Sequence, residues 1–134
     1  MADAVTSTTI QDGNRIAIIQ LTNTSDGTGE SAVTKVDVSA LNPSSNGQTC
    51  TGVHLAKICY STFGMSIKLF WDADTDTICW DLNSNYADSE DFSEFGGLVN
   101  TAGTGKTGDI KLTTADHSSG DSYVIVLTLI KSYG

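Results

Sequence analysis

A few short stretches of the sequence hold residue types at spacings that could do chemistry. Asp72-Ala73-Asp74-Thr75-Asp76 sets carboxylates at alternate positions, the spacing that opens a calcium loop. An EF-hand would need Gly at the sixth position and Glu at the twelfth, where Thr77 and Asn83 stand. Two readings are left: a calcium site in a β-turn, or a hairpin tip kept solvated by residues that favour turns. Gly105-Lys106-Thr107 has the ending of a phosphate-binding loop, but the Gly required five residues earlier is Asn100. Such a loop must also open a helix, whose N-terminus holds the phosphate. Here Gly108 to Thr113 follows, with the period of a strand.

The only histidines are His54, within a strand pattern, and His117, within a polar loop. A hydrolase would need His beside a nucleophile and an orienting acid, and no G-x-S-x-G elbow occurs. The carboxylates of Asp88 to Glu94 could in principle pair for glycoside hydrolysis; a run of this kind reads better as a solvated face. Trp71, Tyr86, Phe92 and Phe95 could form a sugar-binding platform, or belong to core or interface. Asn23-Thr24-Ser25 matches a glycosylation triplet, which matters only in a secreted protein. Cys50, Cys59 and Cys79 are odd in number and widely spaced. They make neither a disulfide framework nor a zinc pattern, and read as small buried thiols of a protein made in a reducing cytosol. The expectation is therefore a protein that is not an enzyme, with no catalytic residue, no cofactor-binding residue, no cofactor and no metal ligand. Calcium at Asp72, Asp74 and Asp76 is the one open question.

The elements that must position these residues read as strands. Arg15 to Thr22 is apolar on both faces, like a strand inside a core. Ala32 to Val38 alternates, with Val36 and Val38 on one side. In Thr51 to Thr62, Val53 and Leu55 share one phase and Ile58 and Tyr60 the other. A β-bulge near Ala56-Lys57 would bring both pairs onto one face. Met65, Ile67, Leu69 and Trp71 alternate cleanly, as do Ile78, Trp80 and Leu82, which predicts a hairpin with a rich core face. Ile110-Leu112 and Ser122 to Lys131 complete the set. Asp88 to Glu94 is expected to hold one helical turn, and residues 1–9 to be a frayed arm or an edge strand. Together these give one all-β domain over residues 1–134, a β-sandwich of jelly-roll type with roughly eight antiparallel strands.

The composition agrees. The chain has 134 residues, the length of one domain. Fifteen Ser and 18 Thr stand beside only 3 Glu, 6 Lys and 1 Arg, so strand and turn formers outnumber helix formers. Sixteen acidic residues against 7 basic give a net charge of −9. No Lys/Arg cluster offers a footprint for nucleic acid or for an anionic membrane surface, so neither is expected as a partner. The start, MADAVTSTTIQDGNR, has no basic n-region and no apolar h-region, so no secretory signal is expected. No apolar run is long enough to span a bilayer as a helix.

Four segments carry a resemblance. They are TSTTIQDGNRIAIIQLTNTSDGTGESAVTKVDVSAL (Thr6 to Leu41), GMSIKLFWDADTD (Gly64 to Asp76), FGGLVNTAGTGKTGDIKLTT (Phe95 to Thr114) and HSSGDSYVIVLTL (His117 to Leu129). Together they resemble small structural proteins in the virions of tailed double-stranded DNA phages, notably phages of marine bacteria. The resemblance spans nearly the whole chain and carries no catalytic motif. It implies a viral structural protein, made in the host cytoplasm and located in the virion. Among such proteins a capsid decoration, or cement, protein suits an acidic domain of this size best. Its partner would be the major capsid protein, its place the outer surface of the capsid, and its state a homo-oligomer with a trimer favoured. The other readings are a carbohydrate-binding or adhesive module of a head or tail fibre, or another head or tail component.

Overall fold

A computed structural model describes residues 3–115 and 118–133. His117 lies outside the described residues. Nine strands run β1 (Ala4–Asp12), β2 (Ile16–Thr24), β3 (Val33–Val36), β4 (Cys50–Phe63), β5 (Ser66–Trp71), β6 (Thr77–Leu82), β7 (Ala87–Asp91), β8 (Ile110–Ala115) and β9 (Ser122–Tyr133). They form a five-stranded sheet in the order β1-β2-β9-β4-β7 and a four-stranded sheet in the order β3-β8-β5-β6. Every neighbouring pair is antiparallel. The all-β two-sheet fold expected from the sequence is the fold found.

The core fills the space between the sheets. Ala17, Ile19 and Leu21 of β2 and Ile125, Leu127 and Leu129 of the neighbouring β9 join Ile67, Leu69, Ile110 and Leu112 of the other layer in one buried cluster. In β4 the expected bulge is present: the pairing with β9 shifts between Leu55 and Lys57. Ala56 is the extra residue. Val53 and Leu55 before it, and Ile58, Tyr60 and Thr62 after it, all stay buried. Gly64 turns the chain from β4 into β5 with φ +81°, and a Cβ there would overlap the Asp121 carboxylate. Any side chain at position 64 would be strained and would displace Asp121.

Two expectations need correction, and a third offers two readings. Met65, Ile67, Leu69 and Trp71 are all buried, but their hairpin partner β6 departs from strict alternation. The β5–β6 pairing shifts between Leu69 and Phe70, because Cys79 is an extra residue between Ile78 and Trp80. Ile78 is thereby turned outward and is 51% exposed, while Cys79 is buried in its place. Burial pushes the Cys79 thiol up to about 12, so it is an inert core group. The acidic run is the second correction. Residues 87–91 form β7 along β4, and the helical turn is a short 3₁₀ segment at Ser93–Phe95. The third concerns the first strand: of the two readings for residues 1–9, the edge strand holds from Ala4 onward.

Two buried polar clusters brace the ends of the sandwich. Glu30 accepts hydrogen bonds from Tyr123 Oη at 2.6 Å and Asn23 Nδ2 at 2.7 Å, and pairs with the Lys35 ammonium. Lys35 reaches it because it is itself the bulged residue of β3, between Thr34 and Val36. Burial, then the Glu30 carboxylate, raises the Tyr123 hydroxyl above its ordinary pKa. At the other end Lys131 Nζ donates to Asp12 Oδ1 at 2.6 Å, to the Asn42 carbonyl at 2.7 Å and to the Gly13 carbonyl at 2.9 Å.

The packing sets a stability order along the hairpin. Trp71 is 2% exposed and has no water to lose to, so Trp71→Ala should cost about 3–5 kcal/mol in denaturant unfolding. Trp80, which lies partly buried with its ring centroid 5.0 Å from that of Phe92, should cost less. Ile78→Ala should change stability by less than about 0.5 kcal/mol. A large loss at Ile78 would mean the bulge is misplaced.

Candidate docking surface

The two chemistry-like motifs of the sequence meet in one place and answer each other. Asp72 Oδ1 lies 2.7 Å from Lys111 Nζ, and Asp72 Oδ2 accepts from Thr107 Oγ1 at 2.7 Å. Asp76 Oδ2 lies 3.6 Å from the same ammonium, while its Oδ1 accepts from the Ala73 amide at 3.2 Å. Asp74 turns to the other loop: its amide donates to the Thr104 carbonyl at 3.1 Å, and its carboxylate sits where a side chain at Gly105 would be. The alternate carboxylates therefore surround a lysine of β8 and a glycine-rich loop. No group of three metal-ligating side chains forms among the described residues. Gly105-Lys106-Thr107 is the loop that ties to Asp72, and it leads into strand β8 rather than a helix.

The remaining sequence candidates are scattered. His54 lies on β4, its Nδ1 3.2 Å from the Gly96 carbonyl. Asn23 is buried, its amide nitrogen engaged by Glu30 and Asp3, so the glycosylation triplet is closed to modification. Of the four aromatics, Trp71 and Phe92 are in the core. Tyr86 and Phe95 are exposed but lie beyond opposite ends of β7, Tyr86 just before it and Phe95 in the 3₁₀ segment after it. Each leans on another ring, Tyr86 on Tyr60 and Phe95 on Phe92, so they do not form one flat platform. The three cysteines are free thiols.

What the sequence did not reveal is the outer face of the five-stranded sheet. The strands alternate, so the residues out of phase with the core share this face. β2 contributes Ile16, Ile18, Gln20 and Thr22, and β9 contributes Val124, Val126, Thr128 and Ile130. β4 adds Cys59 and Ser61 opposite Val126 and Val124. β1 adds Thr6 and Thr8 opposite Thr22 and Gln20. The only formally charged side chains on the strands of this face are Lys57 and Asp91, which stand opposite one another on β4 and β7. Asp91 is held below the usual carboxylate range, first by its hydrogen bond from Ser93 Oγ and last by Lys57.

Among the described residues the nine strands make only two layers and none covers this face, and Val124 is 40% exposed in its middle. An antiparallel sheet with a solvated face normally alternates apolar with charged and strongly polar residues. This one shows Val, Ile, Ser and Thr instead, on a chain of net charge −9. Five strands about 4.8 Å apart and about 30 Å long give roughly 700 Å² in plan, near the ~800 Å² per partner of a stable interface. Beside β7 this face is dished into a shallow, mostly apolar groove of about 430 Å³, lined by Cys59, Ser61, Val124 and Val126 and bordered by Asp88. No family model, curated protein or solved structure matches the chain.

The Asp72–Lys111 pair predicts a pH signature. The hydrogen bond from Lys111 holds the Asp72 carboxyl below its ordinary value. A carboxyl depressed in the folded state adds stability above its unfolded pKa, about 3.9, and loses it as pH falls through the folded value. The melting temperature lost in Lys111→Met should thus be full at pH 7 and shrink below about pH 4. A loss independent of pH would remove the pair as its source. Calcium at millimolar concentration should leave the wild-type melting temperature unchanged, since the Lys111 ammonium already stands between two of the three carboxylates. A calcium-dependent rise abolished by Asp74→Ala would restore the metal-site reading.

Proposed function

We propose that this protein is a structural component of a tailed-phage virion, a decoration protein that coats the outside of the major capsid shell and stiffens it. The observation that carries the reading is the partition of charge. Fifteen of the sixteen carboxylates belong to described residues, and only Asp91 lies on the outer strand face of the larger sheet. A molecule built this way lays its neutral side on a surface and turns its acidic side to solvent. A partner that is repeated many times over a shell suits a flat, unspecialised face better than a pocket does. The whole-segment resemblance to phage virion proteins points the same way. So do the three free thiols, which suit assembly in a reducing cytosol.

The test adds purified protein to shells that lack it, then measures copies bound and resistance to heat. Many equivalent sites and a more heat-resistant shell are expected. Val124→Glu puts an unpaired charge in the centre of the face and should weaken binding at least tenfold, equivalent to about 1.4 kcal/mol. Lys68→Ser, on the exposed side of the other sheet, should bind as wild type. Labelling confined to a tail or a single vertex would remove the coat while keeping a virion role. Absence of binding to any part of the particle would remove both.

A further inference from the structure

The two sheets have four edge strands, and three of them are protected. β7 is five residues long and carries Asp88, Glu90 and Asp91. β6 is broken by the bulge at Cys79, and its Asp81 pairs with Lys68. β3 has four residues and a bulge at Lys35. Short length, charge and bulges are the devices by which edges avoid pairing with other chains.

β1 has almost none of them. It runs nine residues, Ala-Val-Thr-Ser-Thr-Thr-Ile-Gln-Asp, with no charge before Asp12, no Pro and no Gly. Its one irregularity, at Ile10, lies near its end. It pairs with β2 on one side only, so the backbone groups along its other edge have no strand partner. It is exposed on both faces from Ala4 to Gln11, because the four-stranded sheet does not extend beneath it. Yet both ends are fastened. Asp3 accepts hydrogen bonds from Asn23 Nδ2, Ser25 Oγ and the amides of Asp26 and Gly29, and Asp12 holds Lys131. The two carboxylates that flank the strand are thus engaged within their own chain.

We propose that the free edge of β1 pairs antiparallel with β1 of a second copy of this chain, joining two five-stranded sheets into one of ten. Charge confines a contact between two copies to this edge. Two molecules of net charge −9 repel over most of their surfaces, whereas β1 offers Ala4 to Gln11 without a carboxylate, and Asp3 and Asp12 at its ends are already engaged within their own chain. A two-fold contact satisfies both open edges at once and leaves none to propagate. The overhang means that no second layer obstructs the approach. The strand edge is about 30 Å long and about 10 Å deep, near 300 Å² per copy, well below a standard stable interface, so the dimer is weak in dilute solution. A trimer would need β1 to pair with a different edge, and the others are protected. The pairing rests on the fold alone. If the shell reading also holds, it doubles the neutral face to roughly 1,400 Å².

The experiment uses the purified full chain without shells, so its outcome is independent of capsid binding. Sedimentation equilibrium between about 10 μM and 1 mM should show a monomer–dimer equilibrium. Hydrogen exchange of the β1 amides should slow as concentration rises. Ser7→Glu and Ser7→Lys, each at the exposed middle of β1, should each reduce association at least tenfold without lowering the melting temperature. Mixing the two variants should restore it. A monomer throughout the range would overturn the proposal. So would a trimer, a dimer indifferent to both substitutions, or a mixture that stays monomeric.

Discussion

One extra residue in the longest ladder decides which way most of the larger sheet faces. β4 pairs with β9 over nearly its whole length; Thr51 is passed over near its start, and Ala56 is the residue without a partner in its middle. Side chains alternate with period two, so a strand that changed phase without a bulge would send half its apolar residues to solvent. Remove the slip, and Ile58, Tyr60 and Thr62 leave the core while Lys57 and Cys59 enter it. The bulge therefore makes the core continuous. By the same act it leaves Cys59, Ser61 and Lys57 as the outer row against Val126, Val124 and Thr128. The neutral face and the core are two readings of one register.

The ends of the sandwich are held by charge rather than by more hydrocarbon. Burying Glu30 with Lys35, and Lys131 with Asp12, costs desolvation that the pairing only partly offsets, so these pairs add little net stability. They do demand particular partners. Glu30 needs Tyr123 of β9, Asn23 of β2 and the bulged Lys35 of β3 in one place. Lys131 needs Asp12 and the carbonyls of Gly13 and Asn42. Each cluster pins the larger sheet to segments outside it and ties down one end of β1. A strand with no layer above or below keeps its position because its two ends are anchored.

Much of this is legible along the chain and some of it is not. Runs apolar on both faces locate β2 and β9, a period-two pattern locates β5, and the change of phase between Leu55 and Ile58 is enough to place a bulge. The bulge at Cys79 leaves no such trace, because Ile78, Trp80 and Leu82 keep perfect alternation and Cys79 is as apolar as its neighbours. β7 is hidden by its composition: Asp and Glu disfavour strands, and only the open edge of β4 draws this segment into a sheet. The Asp72–Asp76 spacing marks the connection between β5 and β6, but nothing local says that Lys111, 35 residues from Asp76, lies beside it as a cation. The neutral face is the least legible feature. Gln20, Ser61, Val124 and Thr6 are unremarkable each in its own strand, and become a surface only once the order β1-β2-β9-β4-β7 sets them side by side.

That partition of charge also limits what an assembly of this protein could become. A uniformly acidic domain would stay dispersed, and a uniformly neutral one of this β content would aggregate through its sheets. Here the neutral face can meet a surface while the carboxylates of the hairpin tips and the smaller sheet stay in water. A second layer would have to lay its neutral face on those carboxylates and desolvate them without counter-charge, which is unfavourable. Adsorption through the neutral face, as proposed, would thus be confined to a single layer by those charges. The proposed lateral contact through β1 would act within that layer, since the strand edge lies in the plane of the sheet and not along its normal. The two features are orthogonal: in such an assembly one would face a support and the other a neighbour, and the acidic remainder would close the third direction.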